Sequence, residues 1–274
     1  MRKVLVLQIL LTSVVIFTGC KKKDKLEDTA PILSLDTTPF TLSYGALPTP
    51  DIADDNELTV SGVKLGRMLF YEKQLSKDGS ISCATCHLQE NAFSDPNKFS
   101  TGVEGLLGGR QAMAIFNMAW NNNEFFWDGR AHLLRDQSIL PIQDPLEMNE
   151  TLENVISKLN ADQRYKDQFT LAFGTEGINS VNISKALEQF MNTIVSFDSK
   201  YDKYLAGTQT LTASEERGRE LFFGEYNPAF PATSGADCAH CHSGANFEND
   251  LYMNNGLDSD ANIADNGRQK ATSD

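Results

Sequence analysis

Cys83, Cys86 and His87 fall within five positions of ISCATCHLQ (residues 81–89), and Cys238, Cys241 and His242 repeat the arrangement in CAHCH (238–242). With five cysteines and four histidines in 274 residues, the chain concentrates its thiol and imidazole chemistry in these two stretches. Two cysteines separated by two residues can add their thiols to the two vinyl groups of one haem, which leaves the next histidine placed to bind the iron. A redox dithiol, a zinc site and a structural disulfide are the other readings. The dithiol has no need of the trailing histidine, and a single zinc would draw on both pairs without asking for any repeat around them. Two covalently bound haem c groups are therefore expected, with His87 and His242 as iron ligands. Of the remaining histidines, His240 lies inside its own attachment loop, and His132 reads as a surface or supporting residue.

The repeat extends to the elements that must position these residues. LTVSGVKLGRMLF (58–70) is echoed by LTASEERGRELFF (211–223), and Gly66 and Gly218 precede the motif cysteines Cys83 and Cys238 by seventeen and twenty residues. An aromatic residue with an acid follows each histidine, in NAFSD and ANFEND. Two related units are implied rather than a solenoid. Leu65, Met68 and Leu69, and in the second unit Leu221 and Phe222, fit the core face of a helix. Leu152, Val155, Ile156 and Leu159, and likewise Leu187, Phe190, Met191 and Ile194, follow the i, i+3, i+4, i+7 spacing of two more. No stretch alternates for long, so the fold is expected to be mainly α.

The apolar content of 41% suffices for a packed core, and the net charge of −13 argues against nucleic acid as a partner while suiting basic ones. MRKVLVLQILLTSVVIFTGC (1–20) has a basic start, an apolar run and small residues before Cys20. The run is short of the about 20 apolar residues that cross a bilayer. It reads as a bacterial lipoprotein signal over 1–19, with Cys20 carrying the lipid and 20–48 as a tether. Domains are expected at 49–205 and 206–274.

FFWDGRAHLLRDQSILPIQDPLEM (125–148) lies between the two motifs. By pattern alone, DPLE starts a helix, with Asp144 as N-cap, Pro145 in the first turn and Glu147 reaching back. Flanked by two haem motifs, however, the segment resembles that of the bacterial di-haem cytochrome c peroxidases, a family that includes MauG-like enzymes. The resemblance runs from about residue 46 to the end. It implies two cytochrome-c-like α domains, the first haem meeting hydrogen peroxide and the second taking electrons from a small donor such as a cytochrome c. By position, Glu147 becomes the acid–base residue, Gln137 the pocket glutamine and Trp127 the tryptophan between the haems.

Three departures follow. Sixteen residues after His87, where many members carry a distal histidine, stands Val103, so the first haem is expected to be open to peroxide without reductive priming, as in MauG. The resemblance leaves calcium as a candidate ion, and the replacement of the family's asparagine by Gln111 argues against it. The chain also stops thirty-two residues past His242, before the usual sixth ligand of the second haem, and Met253 is too close to His242 to wrap round it. The second domain is therefore expected to be incomplete, the chain being a piece of a longer protein. The leading expectation is a lipid-anchored periplasmic peroxidase reducing hydrogen peroxide to water, with a homodimer compatible. A MauG-like oxidase of an organic or protein substrate and a di-haem electron carrier are the alternatives.

Overall fold

Thr59 starts the first helix for a local reason: its hydroxyl accepts from the Gly62 N–H at 3.0 Å, satisfying a donor that a helix start leaves open. Helix α1 (Val60–Phe70) then turns Leu65, Leu69 and Phe70 into the interior. The computed structural model describes residues 33–254, 256, 259 and 261–272; the signal segment and Cys20 lie outside them. Along the chain follow α2 (Cys83–Cys86), α3 (Leu134–Ser138), α4 (Leu140–Gln143), α5 (Leu152–Asn160), α6 (Gln163–Phe173) and α7 (Ser180–Asn192). After these come α8 (Lys200–Leu205), α9 (Ala213–Phe223) and α10 (Arg268–Thr272). Among the described residues strand pairing is limited to isolated bridges such as Phe125 with Ala131, so the fold is mainly α as expected.

The core forms where the predicted stripes meet. Val155 and Leu159 of α5, Phe169 of α6, and Ile183, Leu187, Phe190 and Met191 of α7 pack with Leu65 and Leu69, while Leu152, Ile156 and Ile194 close its edge. The crossing of α1 and α7 depends on Gly66, because a Cβ there would lie 1.9 Å from the Ala186 carbonyl oxygen. Polar side chains fasten the same crossing. Gln189 Nε2 donates to Asn56 Oδ1 at 2.9 Å, and Asn56 Nδ2 donates to Glu188 Oε2 at 2.6 Å. Arg135 of α3 reaches Glu188 at 3.1 Å and holds Asp55 through two bonds of 2.7 Å. Helix α3 is thereby tied to α7 just ahead of Gln137.

The second unit repeats the first only in part. Helix α9 forms with Thr212 and Glu215 capping each other, yet Leu221 and Phe222 are half-buried rather than in the core. The reason is its surroundings: among the described residues α9 packs chiefly on the short turn Cys238–His240, and a Cβ on Gly218 would meet nothing within 4 Å.

Candidate functional site

Helix α2 is a single turn that presents Cys83 and Cys86 together, and its end places the His87 N–H on the Cys83 carbonyl at 2.9 Å. His87 Nδ1 lies 2.8 Å from the Phe93 carbonyl. A carbonyl only accepts, so Nδ1 carries the proton and Nε2 keeps the lone pair that a metal needs. Burial holds the imidazole below its ordinary pKa, against the pull of the Phe93 and Met113 carbonyls, and so favours the neutral, ligating form. Phe93 has a positive φ of 55°, and the Phe70 ring at the end of α1 packs edge-on against it at 6.2 Å.

The second motif is built the same way. His242 N–H meets the Cys238 carbonyl at 2.9 Å, and Nδ1 lies 3.0 Å from the Phe247 carbonyl. Phe247 has φ 57° and takes the edge of Phe222 at 5.8 Å. In both units a helix phenylalanine therefore braces a left-handed phenylalanine whose carbonyl orients the histidine. The aromatic residue that follows each histidine thus has a structural task, and its recurrence at five or six residues is the signal of it in the sequence.

The thiols discriminate among the readings of the motif. Burial pushes Cys83 up to about 12 and raises Cys86 as well, so both are neutral, whereas a redox dithiol needs a depressed pKa. None of the four motif cysteines is paired in a disulfide. Paired cysteines beside an imidazole with its Nε2 available fit haem at the first motif, and Cys238, Cys241 and His242 repeat that geometry at the second.

Glu147 is placed by a turn rather than by the expected helix start. Asp144 ends α4, and its Oδ1 accepts from the Leu146 N–H at 2.8 Å. The Glu147 and Asn149 N–H groups both return to the Asp144 carbonyl at 3.0 Å, and α5 begins only at Leu152, with Thr151 as its cap. Asp144 thus satisfies the turn and leaves the Glu147 carboxyl out of the capping. Burial first, and the charge of Asp144 second, raise that carboxyl to about 7, with Arg130 opposing. Its charge acts on both Cys83 and Cys86, so the structure brings it to the first motif. Val103 is here too, its N–H donating to the Glu147 carbonyl at 2.8 Å. A carboxyl titrating near neutrality at this position can accept a proton and return it.

Trp127 stands on a loop closed by the Phe125–Ala131 bridge and shaped by positive φ at Phe126 and Gly129. Its Nε1 donates to the Gln111 carbonyl at 2.9 Å, and the Gln111 side chain donates to the Asp95 carbonyl at 2.8 Å, beyond the first motif. On the other side, Glu124 meets the Tyr252 hydroxyl at 3.3 Å and Asn123 donates to the Asp250 carbonyl at 2.8 Å, beyond the second. The loop therefore touches segments that follow both motifs. Asp128 anchors it, buried and paired with Arg110 at 2.7 Å and Arg130 at 3.0 Å. Gln137 is half-buried on α3, and its side-chain amide makes no hydrogen bond among the described residues. His132 is exposed, His240 pairs with Asp237 at 2.9 Å, and Met253 Sδ lies 3.7 Å from Cys241 Sγ, on the attachment loop itself.

A family model for di-haem cytochrome c peroxidase matches residues 60–210, more than half of the chain. The methylamine utilization protein MauG of Methylophilus methylotrophus is 35% identical over 205 residues, covering 74% of this chain and 58% of that protein. Cytochrome c peroxidase Ccp of Escherichia coli is 35% identical over 217 residues, covering 77% and 44%. A crystal structure of a MauG-like protein associated with microbial copper homeostasis superposes with a TM-score of 0.74 at 31% identity, covering 86% of this chain and 71% of that one. The chain spans about half the length of the curated relatives it matches.

Proposed function

This chain belongs to the di-haem cytochrome c peroxidase family, and on that premise we propose that it reduces hydrogen peroxide to water with electrons from a small redox protein such as a cytochrome c. The observation that carries the proposal is Glu147, a half-buried carboxyl raised to about 7 whose charge acts on Cys83 and Cys86 of the first motif. Cys83, Cys86 and His87 would hold one haem c, and Cys238, Cys241 and His242 the other, through thioether bonds and histidine ligation. When bound, the two haems supply a Lewis-acidic iron for peroxide and storage for electrons that arrive singly. The balance is one peroxide, two electrons and two protons to two waters. Glu147 takes a proton from one peroxide oxygen and returns it to the other, so that the O–O bond breaks with the leaving oxygen already neutralised. Gln137 donates a hydrogen bond that orients the peroxide. Trp127, on a loop touching segments after both motifs, gives electrons a route between them. Calcium has no part in this proposal.

Glu147→Gln tests it: peroxide turnover should fall by about 100-fold or more, the scale of a lost acid–base group, with both haems still attached. Near-normal turnover would sink the assignment. A second reading, oxidation of an organic or protein substrate, is favoured by valine at position 103 and by the relatives named MauG. Turnover that requires such a substrate, and stalls with a reduced cytochrome alone, would select it. The signal over 1–19 and Cys20 support a periplasmic location with a lipid anchor, and a homodimer is compatible with this arrangement.

A further inference from the structure

We propose that the loop Gly102–Glu104 is a positioning element for Glu147, holding the carboxyl at the first motif before peroxide arrives; the inference rests on the acid–base role given to Glu147 above. Four contacts converge on the turn that carries Glu147, three of them from this loop. The Val103 N–H donates to the Glu147 carbonyl at 2.8 Å. Gly102 lies so close that a Cβ on it would come within 2.0 Å of the Leu146 carbonyl oxygen and 2.8 Å of that of Glu147. Glu104 Oε1 accepts from Lys77 Nζ at 2.5 Å and from Asn149 Nδ2 at 3.0 Å, closing the far side of the turn. The Lys77 N–H in turn donates to the Met148 carbonyl at 3.0 Å. The turn is thus held at Leu146, Glu147, Met148 and Asn149 by groups that are not part of it.

Energetics explain why this reads as positioning rather than stabilisation. The Lys77–Glu104 pair is exposed, and exposed pairs add little to folding. The side chain of Glu147 receives none of these contacts; only its backbone and its neighbours do. Fixing a backbone while leaving the carboxyl free keeps a proton-transfer group in reach without using up its proton chemistry. The charged and titratable groups acting on or acted on by Glu147 are Asp144 of its own turn, Arg130 of the loop 125–131, and Cys83 and Cys86 of the first motif, with Glu104 and Lys77 flanking the turn.

The test uses the haem-loaded full chain with Gly102→Ala, Glu104→Ala, Glu147→Gln and the double variant Glu104→Ala/Glu147→Gln. Gly102→Ala should lower kcat for peroxide by about tenfold and Glu104→Ala by roughly threefold, as small displacements of a catalytic group do. The KM for the electron donor should stay unchanged. In both variants the pH midpoint of turnover should fall, because a loosened turn lets water reach the carboxyl. Amide exchange should quicken over 100–108 and 144–149 but not in α1 or α7. The decisive comparison is the double variant, which should be no slower than Glu147→Gln alone. Losses that multiply would overturn the proposal, as would wild-type kinetics in both loop variants. If Gly102→Ala does not load haem, the exposed Glu104→Ala carries the test. Normal turnover in Glu147→Gln would instead remove the role of Glu147 itself, and this inference with it.

Discussion

Glu147 carries an energetic cost that its chemistry makes useful. Its carboxyl titrates near 7 in the folded chain, against 4.5 for a free glutamate. Between those values the folded protein binds a proton that the unfolded chain does not, so this residue's contribution to stability falls as pH rises from 4.5 to about 7. The full cost above 7 is about 3 kcal/mol at most. Glu147→Gln should therefore raise the thermal midpoint at pH 8 and leave it unchanged at pH 4, measured by unfolding the haem-loaded protein at both values. An equal effect at both would mean that the ionised carboxyl is not penalised. Turnover should follow the opposite course, rising with pH to a plateau with a midpoint near 7, because the ionised form accepts the peroxide proton. The same residue shows where reading from pattern alone reached its limit. Asp-Pro-Leu-Glu satisfies a helix-start pattern and a turn equally well, since Pro145 suits either. The choice fell to the Asp144 side chain, which caps the Leu146 N–H. Only the order of motifs around it pointed to an acid–base role.

The helices were easier to read, because apolar spacing reports which face is buried whatever the neighbour. The stripes over 152–159 and 187–194 both became core, as Val155, Leu159, Leu187 and Phe190 show. Spacing does not report what packs against that face, and α9 shows the difference. Gly66 and Gly218 sit near the same point of the two repeated helices, yet one meets the Ala186 carbonyl and the other open space. Alanine at each should act in opposite directions. Gly66→Ala has to push α1 from α7, at about 1–3 kcal/mol or more, since the obstacle is backbone. Gly218→Ala should gain up to about 1 kcal/mol from helix propensity. Thermal unfolding of the two variants measures both; a destabilised Gly218→Ala would show that α9 has a close neighbour on that face. The braced phenylalanines were missed for a related reason, since a carbonyl that orients an imidazole belongs to the backbone and leaves only its side chain in the sequence.

For the whole molecule, charge and anchoring have to be considered together. The chain carries −13, and removal of residues 1–19, with Arg2, Lys3 and no acid, would make it −15. Such a body is repelled by an anionic membrane face at close range, but the field fades over a Debye length of about 8–10 Å. The tether expected over 20–48 is shorter than the sequence suggested, because its second half is bound to the body: the Asp36 N–H donates to the Leu171 carbonyl at 2.8 Å, the Phe40 N–H to the Leu58 carbonyl at 2.9 Å, and Trp120 Nε1 to the Pro48 carbonyl at 2.7 Å. The sixteen residues from Cys20 to Asp36 can reach at most roughly 55 Å, several times the Debye length. Lipid at Cys20 would then keep the protein at the membrane while its acidic surface stays clear of it and open to a basic donor. Replacing Cys20 with serine should move the haem-containing protein from the membrane fraction to the soluble periplasmic fraction and abolish labelling by radioactive fatty acid. Haem content and peroxide turnover with a soluble donor should be unchanged, because residue 20 plays no part in either site. Retention in the membrane fraction without fatty-acid label would mean that something other than lipid holds it there. Loss of haem together with the lipid would mean that anchoring precedes, and is needed for, attachment at Cys83 and Cys238.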